Sequence, residues 1–180
     1  QLNTNYVGAN HFVASYQAVE SFIKNGKRNI ALVTTDIDVQ QIIERCDGYR
    51  KAIEDYALPY QEDLVLKIPF NQPEDETIKQ IKTLFANKDI DAALFGTNYL
   101  AISGLKALKE LDKKIDENFA IIGYDDHEAF ELHTPRISTI QQPLEEIAEA
   151  IIRLILAQLS SKTKLPDQQI IIPAKLIIRS

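Results

Sequence analysis

Apolar and polar residues follow two periods along this chain, and the periods take turns. Residues 11–25 place Phe12, Tyr16, Val19 and Ile23 at helical spacing, and Asn25-Gly26 then closes the helix. NIALVT (29–34) follows as a short apolar strand. The next helix, 40–56, carries Ile42, Cys46, Tyr49, Ile53 and Tyr56 on one stripe. LVLKI (64–68) predicts a strand, PFNQP (69–73) a loop, and 74–87 a helix bearing Ile78, Ile81, Leu84 and Phe85. The strand AALFGT (92–97), a helix over 99–111 and the strand FAIIGY (119–124) repeat the pattern. Such alternation predicts an α/β fold with a parallel sheet flanked by helices.

The rhythm breaks after residue 124. A short helical piece at 127–132 leads into extended RISTI (136–140), and a long helix runs from Pro143 to about Leu159. Pro143 suits the first turn of that helix, where a missing N–H costs nothing. Glu145, Glu146 and Glu149 complement the helix dipole. QQIIIPAKLIIRS (168–180) predicts strands interrupted at Pro173. In a parallel sheet the loops after the carboxyl ends of the strands gather on one rim, where ligands bind. Those loops are Thr35–Gln40, Pro69–Pro73, Thr97–Tyr99 and Asp125–His127.

Composition narrows the function. A chain of 180 residues, 45% hydrophobic and 26% charged, can bury a substantial core as one domain or two small lobes. Its net charge of −6 offers no basic field for nucleic acid, so any reader of DNA lies outside these residues. The single cysteine, Cys46, allows no intrachain disulfide and fits a reducing compartment. No apolar run is long enough for a membrane span. The start, QLNTNYVGAN, has no signal-peptide pattern and no initiator Met, so the chain reads as a piece of a longer one.

Four rim positions carry candidate chemistry. Arg45 falls inside the apolar arc of the 40–56 helix, where a guanidinium needs either an internal salt bridge or a ligand. Phe70, in a polar loop, is either a core plug or a flat platform for a ring. Asn98 is either a helix N-cap or an amide donor and acceptor for a ligand. Asp125 and Asp126 could form a turn, a ligand hook, an acid/base pair or part of a metal seat. No HxxxH, CxxC or HExxH pattern supports a metal, and GxSxG, GxGxxG and the P-loop pattern are absent. No metal, cofactor or enzymatic activity is therefore expected.

Four blocks in order carry a resemblance: ANHFVASYQAVESFIKNGKRNIALV, ERCDGYRKAIEDY, AALFGTNYLAISGLKAL and FAIIGYDDHEAFELHTPRISTIQQP, with LIIRS closing the chain. They resemble the effector-binding region of lactose-repressor-type transcriptional regulators, the LacI/GalR family. The resemblance implies a type I periplasmic-binding-protein-like α/β fold, with one full lobe and part of a second. The C-terminal lobe would comprise 28–138 and 168–180, and the partial N-terminal lobe 1–27 and 139–167. It further implies that Arg45, in the pattern Arg-x-x-Gly with Gly48, grips an effector, that Phe70 stacks on it, and that Asn98 and Asp125 hydrogen-bond it. Asp126 becomes a structural companion. Asn98-Tyr99 and Ala9-Asn10 depart from the family's usual pairs, so the pocket has its own shape.

The function so implied is allosteric sensing of a small polar effector, sugar-like in chemistry, by a cytoplasmic homodimer that binds operator DNA through a helix-turn-helix outside these residues. The alternative is a periplasmic sugar-binding protein for transport or chemoreception.

Overall fold

The computed structural model describes residues 4–87, 89–161, 163 and 165–179. The strands are β1 (Tyr6–Ala9), β2 (Ile30–Asp36), β3 (Val65–Pro69), β4 (Ala92–Phe95), β5 (Ala120–Tyr124), β6 (Ser138–Gln141), β7 (Gln169–Ile172) and β8 (Lys175–Ile177). The helices are α1 (His11–Lys24), α2 (Gln40–Asp55), α3 (Glu74–Asn87), α4 (Asn98–Glu110), α5 (Glu128–Leu132) and α6 (Leu144–Ser160). Six strands form one sheet in the order β3-β2-β4-β5-β6-β8, parallel except for β8 against β6. β1 and β7 pair in parallel as a separate small sheet.

Side chains along β2 alternate between two cores, as the twofold period of a strand requires. Ile30 and Leu32 pack with α1 and α2, while Ala31 and Val33 pack with α3 and α4. Burial on both faces explains why β2 and β4 read as continuous apolar runs. From β2 the chain passes to β3 on one side and then to β4 on the other, which places a topological switch point between β2 and β4. Loops diverge there and leave a crevice at the carboxyl ends of the strands.

The sequence reading puts residues 10–25 in the partial N-terminal lobe, and the packing corrects this. Ala14, Ala18, Val19, Phe22 and Ile23 of α1 bury against α2 and the six-stranded sheet. Periodicity shows that a helix has a buried face but not which neighbour covers it. Gly48 makes the contact possible: a Cβ there would lie 2.2 Å from the Phe12 carbonyl oxygen. α6 instead packs on β1 and β7, and Ile152, Ile155, Leu156 and Leu159 on it are exposed.

The chain crosses between the two sheets three times: at Asn10 between β1 and α1, at Gln142-Pro143 between β6 and α6, and at Pro173-Ala174 between β7 and β8. The expected break at Pro173 is thus the point where the terminal strands change sheet. Ser180, the last residue of the LIIRS ending, lies outside the described residues. Among the described residues no helix is long and apolar enough to cross a membrane.

Candidate functional site

Parallel pairing of β2, β3, β4 and β5 brings their carboxyl ends to one rim, and Arg45 reaches across the switch point there. It extends from α2, the helix after β2, and its Nη1 donates to the Gly96 carbonyl just after β4 at 2.5 Å. Its Nη2 lies 3.4 Å from His11 Nδ1, and its Cζ sits 3.9 Å from the centroid of the Tyr124 ring. Only 6% of Arg45 is exposed, yet every one of these partners is neutral. Burial pulls its pKa down, and the nearby Tyr124 and Asp125 oppose that pull. Its Nε makes no hydrogen bond among the described residues, and neither does the buried Thr35 Oγ1.

Tyr124 fixes the floor of the site. Its hydroxyl donates to the His11 carbonyl at 3.2 Å and lies 3.3 Å from Ser15 Oγ. Burial pushes its phenol pKa up to about 12, so it stays neutral under the guanidinium. His11 is held down to about 4, first by burial and then by the Arg45 charge.

A cleft of about 280 Å³ opens beside this cluster, lined by Arg45, His11, Thr35, Phe70, Tyr99 and Gln142 among others. Phe70 is 60% exposed, so it does not plug the core. Thr97 and Tyr99 line the cleft, whereas Asn98 does not. The Asn98 side-chain carbonyl accepts from the Tyr99 backbone N–H at 2.7 Å, and the residue before it, Thr97, occupies the N-cap. Asp125 borders the adjoining depression with Gln142, and its Oδ1 accepts from Gln142 Nε2. Its φ of 60° is a left-handed conformation that Asp tolerates better than most residues, and its N–H donates to the Ile140 carbonyl at 2.9 Å.

The two adjacent acids have separate environments. Asp126 receives two hydrogen bonds from Arg179, at 2.8 and 2.6 Å, and Arg179 also donates to the Ile137 carbonyl. This ties the end of the chain to the turn after β5. Arg179→Ala should lower stability by about 1.5–3 kcal/mol, the worth of charged hydrogen bonds, measured by urea unfolding.

The structure therefore brings Arg45 and Phe70 into one cleft and links Asp125 to it through Gln142, with Asn98 beside it. The sequence does not single out His11, Tyr124 or Gln142, and it marks Thr35 only as the start of a rim loop. His11 follows the helix-capping Asn10, whose side chain accepts from the Val13 N–H at 2.9 Å, but a lone histidine gives no sign of what it faces. Among the described residues no group of three or more His, Cys, Asp or Glu side chains could hold a metal ion. Cys46 is half-buried, and burial raises its thiol pKa.

A mostly parallel α/β sheet with a polar cleft at its switch point, joined to a second sheet by three crossings, is the arrangement in which open α/β sheets place their ligands. The chain belongs to the periplasmic binding protein-like domain family, whose profile matches residues 19–180. The structure of a sugar-binding transcriptional regulator of the LacI family from Escherichia coli matches with a TM-score of 0.82 at 25% identity, over 95% of this chain and 60% of that one. It is 26% identical over 175 residues to the HTH-type transcriptional regulator CelR of Thermobifida fusca, covering 97% of this chain and 51% of CelR. It is 28% identical over 178 residues to the HTH-type transcriptional repressor PurR of Histophilus somni, covering 98% of this chain and 53% of PurR. The structure of a CelR–cellobiose complex matches with a TM-score of 0.88 at 25% identity, over 98% of this chain and 54% of that one. The chain thus spans about half the length of these regulators.

Proposed function

We propose that this chain is the effector-sensing part of a bacterial transcriptional regulator, and that the cleft at Arg45 binds a small polar ligand, a sugar or sugar derivative. The observation that carries this reading is Arg45 itself. A buried guanidinium with only neutral partners and an unpartnered Nε is costly to maintain, and a ligand oxygen would complete its hydrogen bonds. Phe70 would supply an apolar platform and Asp125 an acceptor, with Asn98 at the edge of the same rim. The cellobiose bound to CelR supports the ligand class.

In this reading the six-stranded sheet with α1 to α5 forms one lobe, and β1, α6 and β7 belong to the other. The cleft lies beside two of the three crossings, through His11 and Gln142. Ligand binding would favour one arrangement of the lobes and so bias DNA binding by a helix-turn-helix elsewhere in a cytoplasmic homodimer. That coupling requires the two arrangements to bind ligand with different affinities.

Calorimetric titration of the full-length protein with cellobiose and a panel of mono- and disaccharides tests the ligand class. Phe70→Ala should weaken the binding saccharide by about tenfold, the worth of an aromatic contact. Its stability should change by less than about 0.5 kcal/mol, because the ring is largely exposed. Loss of stability with unchanged affinity would assign Phe70 to packing instead.

A further inference from the structure

We propose that His11 is a second ligand-contacting residue of the cleft: a neutral imidazole that holds the Arg45 guanidinium through Nδ1 and offers its Nε2–H to the bound molecule. This rests on reading the cleft as the effector site. The argument begins with the donor inventory. Arginine has five N–H donors and no acceptor, so in its 3.4 Å contact with Arg45 Nη2 the His11 Nδ1 must accept. In a neutral ring the proton then sits on Nε2, and the hydrogen bond at one nitrogen sets the role of the other.

Three features of the surroundings keep the ring neutral. His11 is the first residue of α1, where the helix dipole disfavours a cation. It is 3% exposed, so ionisation would place a charge in a desolvated site. Facing it from α2 is the Arg45 guanidinium, and from β5 the Tyr124 ring at 6.0 Å, while no carboxylate among the described residues hydrogen-bonds to it. A protonated ring would set two cations against each other and remove the acceptor that Arg45 uses.

His11 Nε2 makes no hydrogen bond to any described residue, although the ring lines the cleft with Thr35 and Gln142. The backbone that carries the ring is also held. Tyr124 holds its backbone carbonyl from β5, and the Asn10 N–H donates to the Ile172 carbonyl of β7 at 3.1 Å. A ligand oxygen bound by both Arg45 and His11 would therefore contact the crossing between the two sheets as well as α2.

Two measurements on the full-length protein test this. Nitrogen-15 NMR of labelled histidine, with His11→Phe used to assign the signal, should show the neutral Nε2–H tautomer at pH 7 and no titration down to pH 5.5. An Nδ1–H tautomer, or titration near the ordinary histidine value, would overturn the proposal. Titration with cellobiose, or with the panel saccharide that binds more tightly, should be weakened about tenfold by His11→Phe and partly restored by His11→Gln, which keeps an acceptor and a donor. Unchanged affinity in His11→Phe, with binding lost in Arg45→Met, would overturn the role of His11 while leaving the cleft as the binding site. Affinity unchanged in both variants would overturn the reading of the cleft and this proposal with it.

Discussion

Arg45→Met should reduce saccharide affinity by about ten- to 150-fold, the range of one hydrogen bond to a charged group, and by more if the ligand accepts from two guanidinium nitrogens. Methionine fills much of the same space with no charge and no donor. Its effect on stability should be far smaller, because two changes oppose each other. The desolvation cost of a buried cation disappears, while the Gly96 carbonyl and His11 Nδ1 lose their donor. A change within about 1.5 kcal/mol in urea unfolding would be consistent with that balance. A severe loss of stability with intact affinity would mean that Arg45 serves the fold. Arg45→Lys should not rescue binding, since an ammonium cannot span Gly96, His11 and a ligand as the planar fork does.

Gly48→Ala should be the most damaging of the small substitutions. Within a helix, alanine is ordinarily favoured over glycine by about 1 kcal/mol. Here the new Cβ would meet the Phe12 carbonyl oxygen at 2.2 Å and Ser15 Cβ at 3.0 Å, and a backbone carbonyl cannot rotate away as a side chain can. α1 must move off α2, and overpacking of this kind costs about 1–3 kcal/mol or more. Less that propensity gain, a net loss of up to about 2 kcal/mol in denaturant unfolding is expected. Because Phe12 adjoins His11, the same shift should pull the imidazole from Arg45 and weaken ligand binding. An alanine variant as stable as the native protein would show that the two helices have room to spare.

These two positions also show what could be read from the sequence. Arg45 stood out because a charge interrupted an apolar arc, and the parallel strand rhythm placed its helix at the binding rim. Gly48 was visible as part of Arg-x-x-Gly, but its reason, the close passage of α1, is a contact between helices that periodicity does not encode. For the same reason periodicity does not say that α1 packs on α2 and the six-stranded sheet. β1 does not show in the pattern: it has four residues, and its partner β7 lies near the other end of the chain. A short strand with so distant a partner leaves almost no local signal.

At the site, side-chain orientation set the limit. The strand order points to the loop after β4, yet within it Asn98 turns its carbonyl to the Tyr99 N–H, and its neighbours Thr97 and Tyr99 line the cleft. The Asp125–Asp126 pair was separable only by resemblance. The geometry distinguishes the two acids by their partners, Gln142 for Asp125 and Arg179 for Asp126. His11 and Gln142 lie next to crossings between the sheets, so their relation to Arg45 depends on the whole chain path.

The most direct test of the binding cleft is a crystal structure of the full-length protein with the tightest saccharide from the titrations. The account predicts a ligand oxygen within hydrogen-bonding distance of the Arg45 guanidinium and a sugar face against Phe70. A saccharide bound elsewhere, for example in the apolar groove between β1 and α6 lined by Tyr6, Ile151 and Ile155, with the Arg45 cleft unfilled, would contradict it.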